Sequence, residues 1–436
     1  MKKAWKLLFV FLVCIPVPEN AWGQAWAAGI KLSPDSVISI ITIYPGEALY
    51  SMYGHTAIRI VDPVSDLDIL YNYGQASVPF DASFVPRFVT GDLPFILGVT
   101  ESSRAFLYYE KYEDRSIYEQ VLDLSLEQRQ AVFDYLVNNA REEDRTYIYD
   151  FFFDNCTTRV RDLLEHVFGP ELDLPTEPWT GGSYRKDISP YLEGIPFVKL
   201  GINLVLGVHT DEAVTGENAL YLPLQLMKAV EDAWLAGKAA GGRAGGAAGA
   251  AGKTVSGADE ENPSGRKNFV QSSRFLYTQE RSAPHPPLLG PGTVMWLLFL
   301  FAAALTLFGR QMPRLGNIFD FTIFFIVGLI GLTIALLWIF SGYEMTTGNI
   351  NILWAWPTHA AAAFIFLKLD SDGRILRRIR ILYLEAAIVS AAGTLAASLL
   401  LTQNLPVAAI PVILSIILRG SVRALYEKKV SYERTY

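Results

Sequence analysis

The sequence has few cysteines and histidines, and this scarcity limits what the protein can do. Only two cysteines occur in 436 residues, so a disulfide framework cannot organise the fold. Five histidines are present, and His166, His209 and His285 are not spaced like metal ligands, so we predict no metal site. The net charge is −7 without a basic cluster in the soluble part, which argues against nucleic acid as a partner.

The N-terminus has the pattern of a secretory signal peptide. Basic residues at positions 2, 3 and 6 precede a short apolar run over 7–17, and small-x-small cleavage sites follow at 21–23 and 25–27. We therefore predict a signal peptide over 1–27, which contains Cys14. After its removal Cys156 is the only thiol, exported to an oxidising compartment without a disulfide partner. That isolation favours a catalytic thiol over a packing residue.

The residues around Cys156 predict a helix that begins at the thiol. The aromatic run 151–153 suits a buried strand or its end, and Asp154 and Asn155 are typical N-cap residues. Apolar residues then recur at helical spacing: Val160, Leu163, Leu164 and Val167. Cys156 would lie in the first turn, where free N–H groups and the helix dipole stabilise a thiolate.

A base for this thiol is offered by His55, at the start of a predicted strand. A buried strand over 37–44 precedes it, and a strand over 69–74 returns as a hairpin partner. If the chain turns tightly after Asp62, Asn72 lies level with His55 on a common face. If 62–68 is all loop, Gln75 takes that place with Tyr73 beside it. The sequence leaves both registers open.

The remaining soluble segments predict an α+β order without a βαβ repeat. Residues 106–124 are rich in β-prone side chains, a capping box opens a helix at Ser125, and an amphipathic helix covers 224–234. Residues 236–268 are a flexible insertion rich in Gly and Ala. It contains a P-loop-like match at 247–254, which we reject because no strand precedes it, and we predict no cofactor.

The C-terminal third of the chain is strongly apolar and predicts a membrane domain. Five runs suit helices, at about 294–308, 318–340, 352–367, 381–402 and 405–418. Basic residues cluster in alternate loops, which places those loops and the C-terminal tail in the cytoplasm and the N-terminal domain outside. The predicted domains are therefore 28–290, a periplasmic thiol-enzyme domain, and 291–436, a transmembrane domain of the inner membrane.

Several of these motifs resemble one family. Its members are the Lnb-type lipoprotein N-acyltransferases, and the similar segments are Tyr53-Gly-His-Thr-Ala-Ile-Arg59, Tyr71-Asn-Tyr-Gly74, Asp154-Asn-Cys-Thr-Thr158, Arg159-Val-Arg-Asp162 and the membrane loop 347–354 with Pro357. The resemblance implies a circularly permuted papain-like (NlpC/P60-like) fold, with Cys156 as nucleophile and His55 as base. Asn72 as the residue that orients His55 is our inference from the hairpin. We add five candidate substrate-binding residues: Tyr53, Tyr73, Asn155, Arg185 and His359.

The resemblance implies transfer of an acyl chain from phospholipid, through a Cys156 thioester, to the amine of diacylated lipoproteins. The location supports this chemistry independently, because acyl-CoA is absent outside the cytoplasm and phospholipid is the abundant donor. A membrane-anchored cysteine peptidase or peptidoglycan amidase could use the same Cys–His pair. A non-catalytic envelope scaffold would retain the fold with Cys156 as a packing residue.

Overall fold

The computed structural model describes residues 29–77, 84–236, 266–280, 287–308, 312–367 and 374–433. The predicted signal peptide, most of the Gly/Ala-rich insertion and its P-loop-like match lie outside these residues. The chain divides into two compact units. Of the described residues, the first unit, here the sheet unit, comprises 29–77, 84, 93–181, 214–236 and 266–280, and the second, the helical unit, comprises 85–92, 182–213, 287–308, 312–367 and 374–433. This division differs from the single predicted boundary near residue 290, since two earlier segments belong to the helical unit.

The described residues form ten strands and twelve α-helices. The strands are β1 (Val37–Ile43), β2 (His55–Asp62), β3 (Leu67–Ala76), β4 (Pro94–Glu101), β5 (Ile117–Leu122), β6 (Thr146–Ile148), β7 (Leu172–Asp173), β8 (Trp234–Ala236), β9 (Arg266–Asn268) and β10 (Val270–Tyr277). The helices are α1 (Phe84–Thr90), α2 (Ser102–Tyr108), α3 (Leu126–Asn139), α4 (Cys156–Phe168), α5 (Tyr184–Ile188), α6 (Pro196–Val205), α7 (Pro223–Glu231), α8 (Pro291–Phe308), α9 (Pro313–Phe340), α10 (Thr358–Ala362), α11 (Arg374–Ala397) and α12 (Ile410–Glu433). The predicted α+β class is confirmed.

The sheet unit is built on a seven-stranded sheet in the order β10-β5-β1-β2-β3-β4-β6. β1 is an interior strand, which pairs antiparallel with β2 and β5. The two largely apolar faces of β1 are buried, as the sequence predicted, with Ile40, Ile41 and Ile43 inaccessible to solvent. The helix that carries Cys156 packs against β2. A second sheet, β7-β8-β9, brings together the two ends of the insertion, since Ala236 pairs with Arg266.

Two β predictions in this unit differ from the structure: the segment 106–124 contains β5 but is helical in its first half, and residues 151–153 are not a strand. Residues 106–124 begin with the end of α2 and a π-helical turn, Tyr109–Glu113, before β5 starts. Tyr108 and Tyr112 stack at helical spacing with ring centroids 5.7 Å apart, and Asp114 ends the turn with φ +47°. Residues 151–153 form a turn because the Asp150 carboxylate accepts the N–H groups of Phe152 and Phe153.

In the part of the helical unit that the structure describes, four helices are long and apolar enough to cross a membrane: Pro291–Phe308, Pro313–Phe340, Ile375–Ala397 and Val407–Lys429. The predicted third run, 352–367, is instead broken into short pieces around α10 within the described residues. Pro357 cannot continue a helix, and α9 approaches this backbone so closely that a Cβ on Gly331 would lie 1.8 Å from the Ala355 carbonyl oxygen. Such irregular backbone is tolerated at membrane depth where protein covers it.

Candidate active site

Cys156 is the first residue of α4, and its helix is capped as the sequence predicted. The Asn155 side chain accepts the N–H groups of Thr157 and Thr158 at 2.7 and 3.0 Å, and the Thr158 hydroxyl accepts the Asn155 N–H. The Asn155 amide also donates to the carbonyls of Phe151 and Tyr221. The side-chain oxygen and nitrogen of Asn155 are therefore both hydrogen-bonded within the protein. Asn155 was predicted as a substrate-binding residue, and these bonds give it a structural role as the helix cap.

His55 is the first residue of β2, and the backbone just before it requires glycine at position 54. Gly54 has φ +88°, and a Cβ at this position would lie 2.9 Å from the Ile43 carbonyl oxygen. His55 Nε2 lies 3.2 Å from Asn72 Oδ1, while Asn72 Nδ2 donates to the Leu70 carbonyl at 3.4 Å. The Leu70 contact fixes which amide atom of Asn72 faces the histidine. With Nε2–H donated to Asn72, Nδ1 is left to serve the thiol.

The pairing register of this hairpin differs from both predicted alternatives. Asp62 pairs with Leu67 and Ile58 with Tyr71, so the turn is the four residues 63–66, with Asp66 at φ +53°. This register places Asn72 opposite Ala57 and diagonal to His55, on the predicted common face. Gln75 packs against Gly98, and the Tyr73 hydroxyl donates to Asn139 at 2.6 Å. Of the three candidates, Asn72 is the one that contacts His55.

The thiol of Cys156 is buried, with 8% of the residue exposed, and several groups surround its sulfur. Burial raises the pKa of the Cys156 thiol, but the charge and hydrogen bond of His55 and the Thr56 N–H oppose it, and the net pKa is below its ordinary value. The Thr157 hydroxyl lies 3.9 Å from the sulfur and 3.1 Å from the Thr56 hydroxyl. A thiol beside a histidine base, which in turn contacts a polar side chain, is the arrangement that nucleophilic attack on a carbonyl requires.

The other predicted substrate-binding residues lie in different surroundings. The ring of Tyr53 packs against Phe151, with centroids 4.6 Å apart. Arg185 and His359 belong to the helical unit. Arg185 binds Asp211 at 2.9 Å and the Thr210 hydroxyl at 2.6 Å, and the His359 ring lies 2.6 Å from the Tyr383 hydroxyl. Their substrate roles stay predictions.

Two residues beside the thiol were missed by the sequence analysis as site residues. Gly74, with φ +88°, lies close to Cys156, and Tyr147 in β6 points its hydroxyl toward the same place. Nothing in the sequence separated Tyr147 from the other tyrosines, because only the sheet brings it to the thiol. Among the described residues, no group of three His, Cys, Asp or Glu side chains is arranged to hold a metal ion.

Comparisons with known proteins identify two family domains in the chain. Residues 24–186 match the Lnb N-terminal periplasmic domain, and residues 283–430 match the Lnb transmembrane domain. The first match contains His55, Asn72, Tyr147 and Cys156, and the second contains all four apolar helices long enough to cross a membrane. No curated protein matches the chain, and no solved structure does. The predicted permuted papain-like topology therefore stays a prediction.

Proposed function

The chain belongs to the Lnb family and is a multi-pass membrane protein with a periplasmic domain, and we propose that it is a lipoprotein N-acyltransferase of the bacterial inner membrane. It moves an acyl chain from phospholipid to the N-terminal amine of a diacylglyceryl-modified cysteine. One observation carries the proposal: the buried thiol at a helix N-terminus lies beside His55, which lowers the thiol pKa and contacts Asn72.

The first half-reaction loads the acyl chain onto Cys156. The thiolate attacks the carbonyl carbon of a phospholipid ester, a C–S bond forms, and the carbonyl π electrons move onto oxygen. The Cys156 N–H at the start of α4 is well placed to stabilise this oxyanion. The tetrahedral intermediate collapses with cleavage of the C–O bond, and the leaving lysophospholipid oxygen takes a proton from the His55 imidazolium.

The second half-reaction transfers the chain to the lipoprotein. The α-amine of the diacylated cysteine attacks the thioester carbonyl, and neutral His55 accepts the proton that the amine loses. An amide C–N bond forms, the C–S bond breaks, and the Cys156 thiolate is regenerated. Burial of the sulfur supports this order of events, because a dry site protects the thioester from hydrolysis between the two steps.

The test uses the purified full chain in mixed micelles with phospholipid and a diacyl lipopeptide that has a free amine. We expect triacyl lipopeptide and lysophospholipid in equal amounts, without nucleotide or coenzyme A. With the lipopeptide amine blocked, acyl-Cys156 should persist and be detected by intact mass spectrometry, as in a ping-pong mechanism.

Two results would contradict the proposal. Cleavage of a peptide bond in peptidoglycan or protein, with the lipopeptide untouched, would assign the same residues to a cysteine peptidase or amidase. Full conversion by the Cys156→Ala variant would remove the thiol from the reaction and support the scaffold interpretation.

A further inference from the structure

A small open space lies beside Cys156 where Gly74 has no side chain. A Cβ built on Gly74 would lie 3.7 Å from the Cys156 Cβ, 3.8 Å from the Tyr147 hydroxyl oxygen and 3.5 Å from the Tyr149 ring. These are ordinary contact distances, so the space would hold a small group in contact with all three residues. The positive φ of Gly74, +88°, disfavours any other residue there. We call this space the Gly74 notch.

The hydroxyl that borders the notch is buried without a hydrogen-bond partner among the described residues. Tyr147 is 8% exposed, and leaving a buried hydroxyl unpaired costs about 1–3 kcal/mol. A phenylalanine would fill the same volume without that cost. Packing therefore accounts for the ring of Tyr147 but does not account for its hydroxyl.

The ring is also held in a fixed position. The Arg159 guanidinium lies 4.2 Å from the centroid of the Tyr147 ring. The same guanidinium makes two contacts with the Asp154 carboxylate, one of them 2.6 Å between Nη2 and Oδ2. The backbone of Tyr147 pairs with Phe95 in β4. Burial, together with the nearby Cys156 and Asp154, raises the pKa of Tyr147 well above its ordinary value, so the phenol stays protonated. It is a preorganised hydrogen-bond donor and not a base.

We propose that the Tyr147 hydroxyl donates a hydrogen bond to the acyl carbonyl oxygen in the Gly74 notch as Cys156 attacks the carbonyl carbon. This inference rests on the proposed acyl transfer and adds a second oxyanion donor to the Cys156 N–H. The sulfur already contacts His55, Thr56 and Thr157, whereas the phenol has no partner to give up. The π electrons of the carbonyl move onto the oxygen that Tyr147 faces, and the proton stays on the phenol throughout.

The test compares two variants that each delete a buried, unpaired hydroxyl: Tyr147→Phe and Ser39→Ala. Ser39 is fully buried, its hydroxyl has no partner among the described residues, and it lies in β1 opposite Arg59, away from the end where Ile43 pairs with His55. Two probes react with Cys156 in the full chain. A p-nitrophenyl ester forms an oxyanion on its way to the thioester, whereas iodoacetamide alkylates the sulfur without one.

For Tyr147→Phe we expect the p-nitrophenolate burst to slow by about 10²–10³-fold, the usual effect of losing one oxyanion donor. Alkylation by iodoacetamide should keep its wild-type rate, because the thiolate retains His55, Thr56 and Thr157. Thermal stability should be equal or higher, since an unpaired buried hydroxyl has been removed. Ser39→Ala should match the wild type with both probes.

A wild-type burst rate in Tyr147→Phe would overturn the inference. So would an equal slowing with ester and iodoacetamide, which would mean that the nucleophile itself was damaged, or an equal slowing in Ser39→Ala. The proposed function fails separately: if the ester acylates the wild type but phospholipid does not, the donor is wrong while the role of Tyr147 stands on the ester result. If neither acylates the wild type, both proposals fall.

Discussion

Each compact unit contains a polar cluster, and the two clusters differ in how many of their polar groups are hydrogen-bonded. The amide cluster of the helical unit consists of Asn349, Asn351 and Gln403, all with 0% exposure. Asn349 Oδ1 accepts from both other amides at 3.0 and 3.1 Å, and Asn349 Nδ2 donates to the Leu204 carbonyl at 2.7 Å. Asn351 Oδ1 accepts the Trp354 indole N–H at 3.0 Å. Every amide in this cluster is paired.

The thiol cluster of the sheet unit consists of His55, Asn72, Tyr147 and Cys156. Tyr147 and Cys156 are buried and His55 and Asn72 are half-buried. The cluster keeps a hydroxyl without a partner among the described residues and a thiol with a lowered pKa. A saturated network stabilises one arrangement of the backbone, whereas groups left free to bond are available to a reacting molecule. We therefore infer a catalytic role for the thiol cluster and a structural role for the amide cluster.

The largest effect is expected from removing the nucleophile. Cys156→Ala should lower acyl transfer by at least about 10⁴-fold, because no thioester can form. The variant should still unfold at a temperature close to that of the wild type, since only one sulfur is lost from the core. Lipopeptide conversion followed by mass spectrometry and a thermal melt provide the two measurements. Appreciable turnover in this variant would move the chemistry away from the thiol cluster.

Removing the base should have the next largest effect and should change the pH dependence. In the wild type the Cys156 pKa is lowered, so thiolate is present below the ordinary thiol range and is lost as pH falls through the folded pKa. His55→Ala leaves burial as the dominant influence, which raises the thiol pKa. We expect transfer to fall by about 10³-fold and the pH midpoint of iodoacetamide alkylation to move upward. An unchanged midpoint would mean that His55 does not act on the sulfur.

A smaller effect is expected from the orienting residue. Asn72→Ala should lower the acylation rate by about 10–100-fold, because His55 loses the partner that fixes its ring. The matched control is Gln75→Ala, since Gln75 packs against Gly98, whereas the side chain hydrogen-bonded to His55 is Asn72. Equal losses in the two variants would mean that the hairpin, and not the hydrogen bond to Asn72, sets the rate.

The features of the sheet unit that the sequence predicted correctly depend on residues close together in the chain. The N-cap of α4, the capping box at Ser125 and the buried faces of β1 each follow from a few neighbouring residues. The hairpin register was not predicted because it depends on the number of residues in the turn, and one residue more or less changes every cross-strand pair. His55 and Asn72 are still in contact, because they are diagonal neighbours on one face of the sheet and not a directly opposite pair.

What the sequence did not predict depends on distant packing. Tyr147 reaches the thiol only because β6 is added to the sheet beside β4, and Gly74 opens the space only because α4 packs near β3. The apolar run 352–367 suited a continuous helix, but Gly328 and Gly331 let α9 approach its backbone closely. No periodicity in a single segment reports such contacts.

The smallest effect on chemistry is expected in the amide cluster, with Asn351→Leu. Leucine has a similar volume, but it leaves the Trp354 indole N–H without its acceptor and Asn349 Oδ1 with one donor fewer. Each buried group left unpaired costs about 1–3 kcal/mol, so the thermal midpoint in detergent should fall clearly. The p-nitrophenyl ester burst rate per folded molecule should stay at the wild-type value. Thr333→Ala is the control. The exposed Thr333 hydroxyl donates to the Leu329 carbonyl of the same helix, so its removal leaves no buried group without a hydrogen-bond partner. A slower ester burst with an unchanged thermal midpoint in Asn351→Leu would give the amide cluster a part in the reaction. A network in which every amide is hydrogen-bonded could then no longer be told from a catalytic one on that ground.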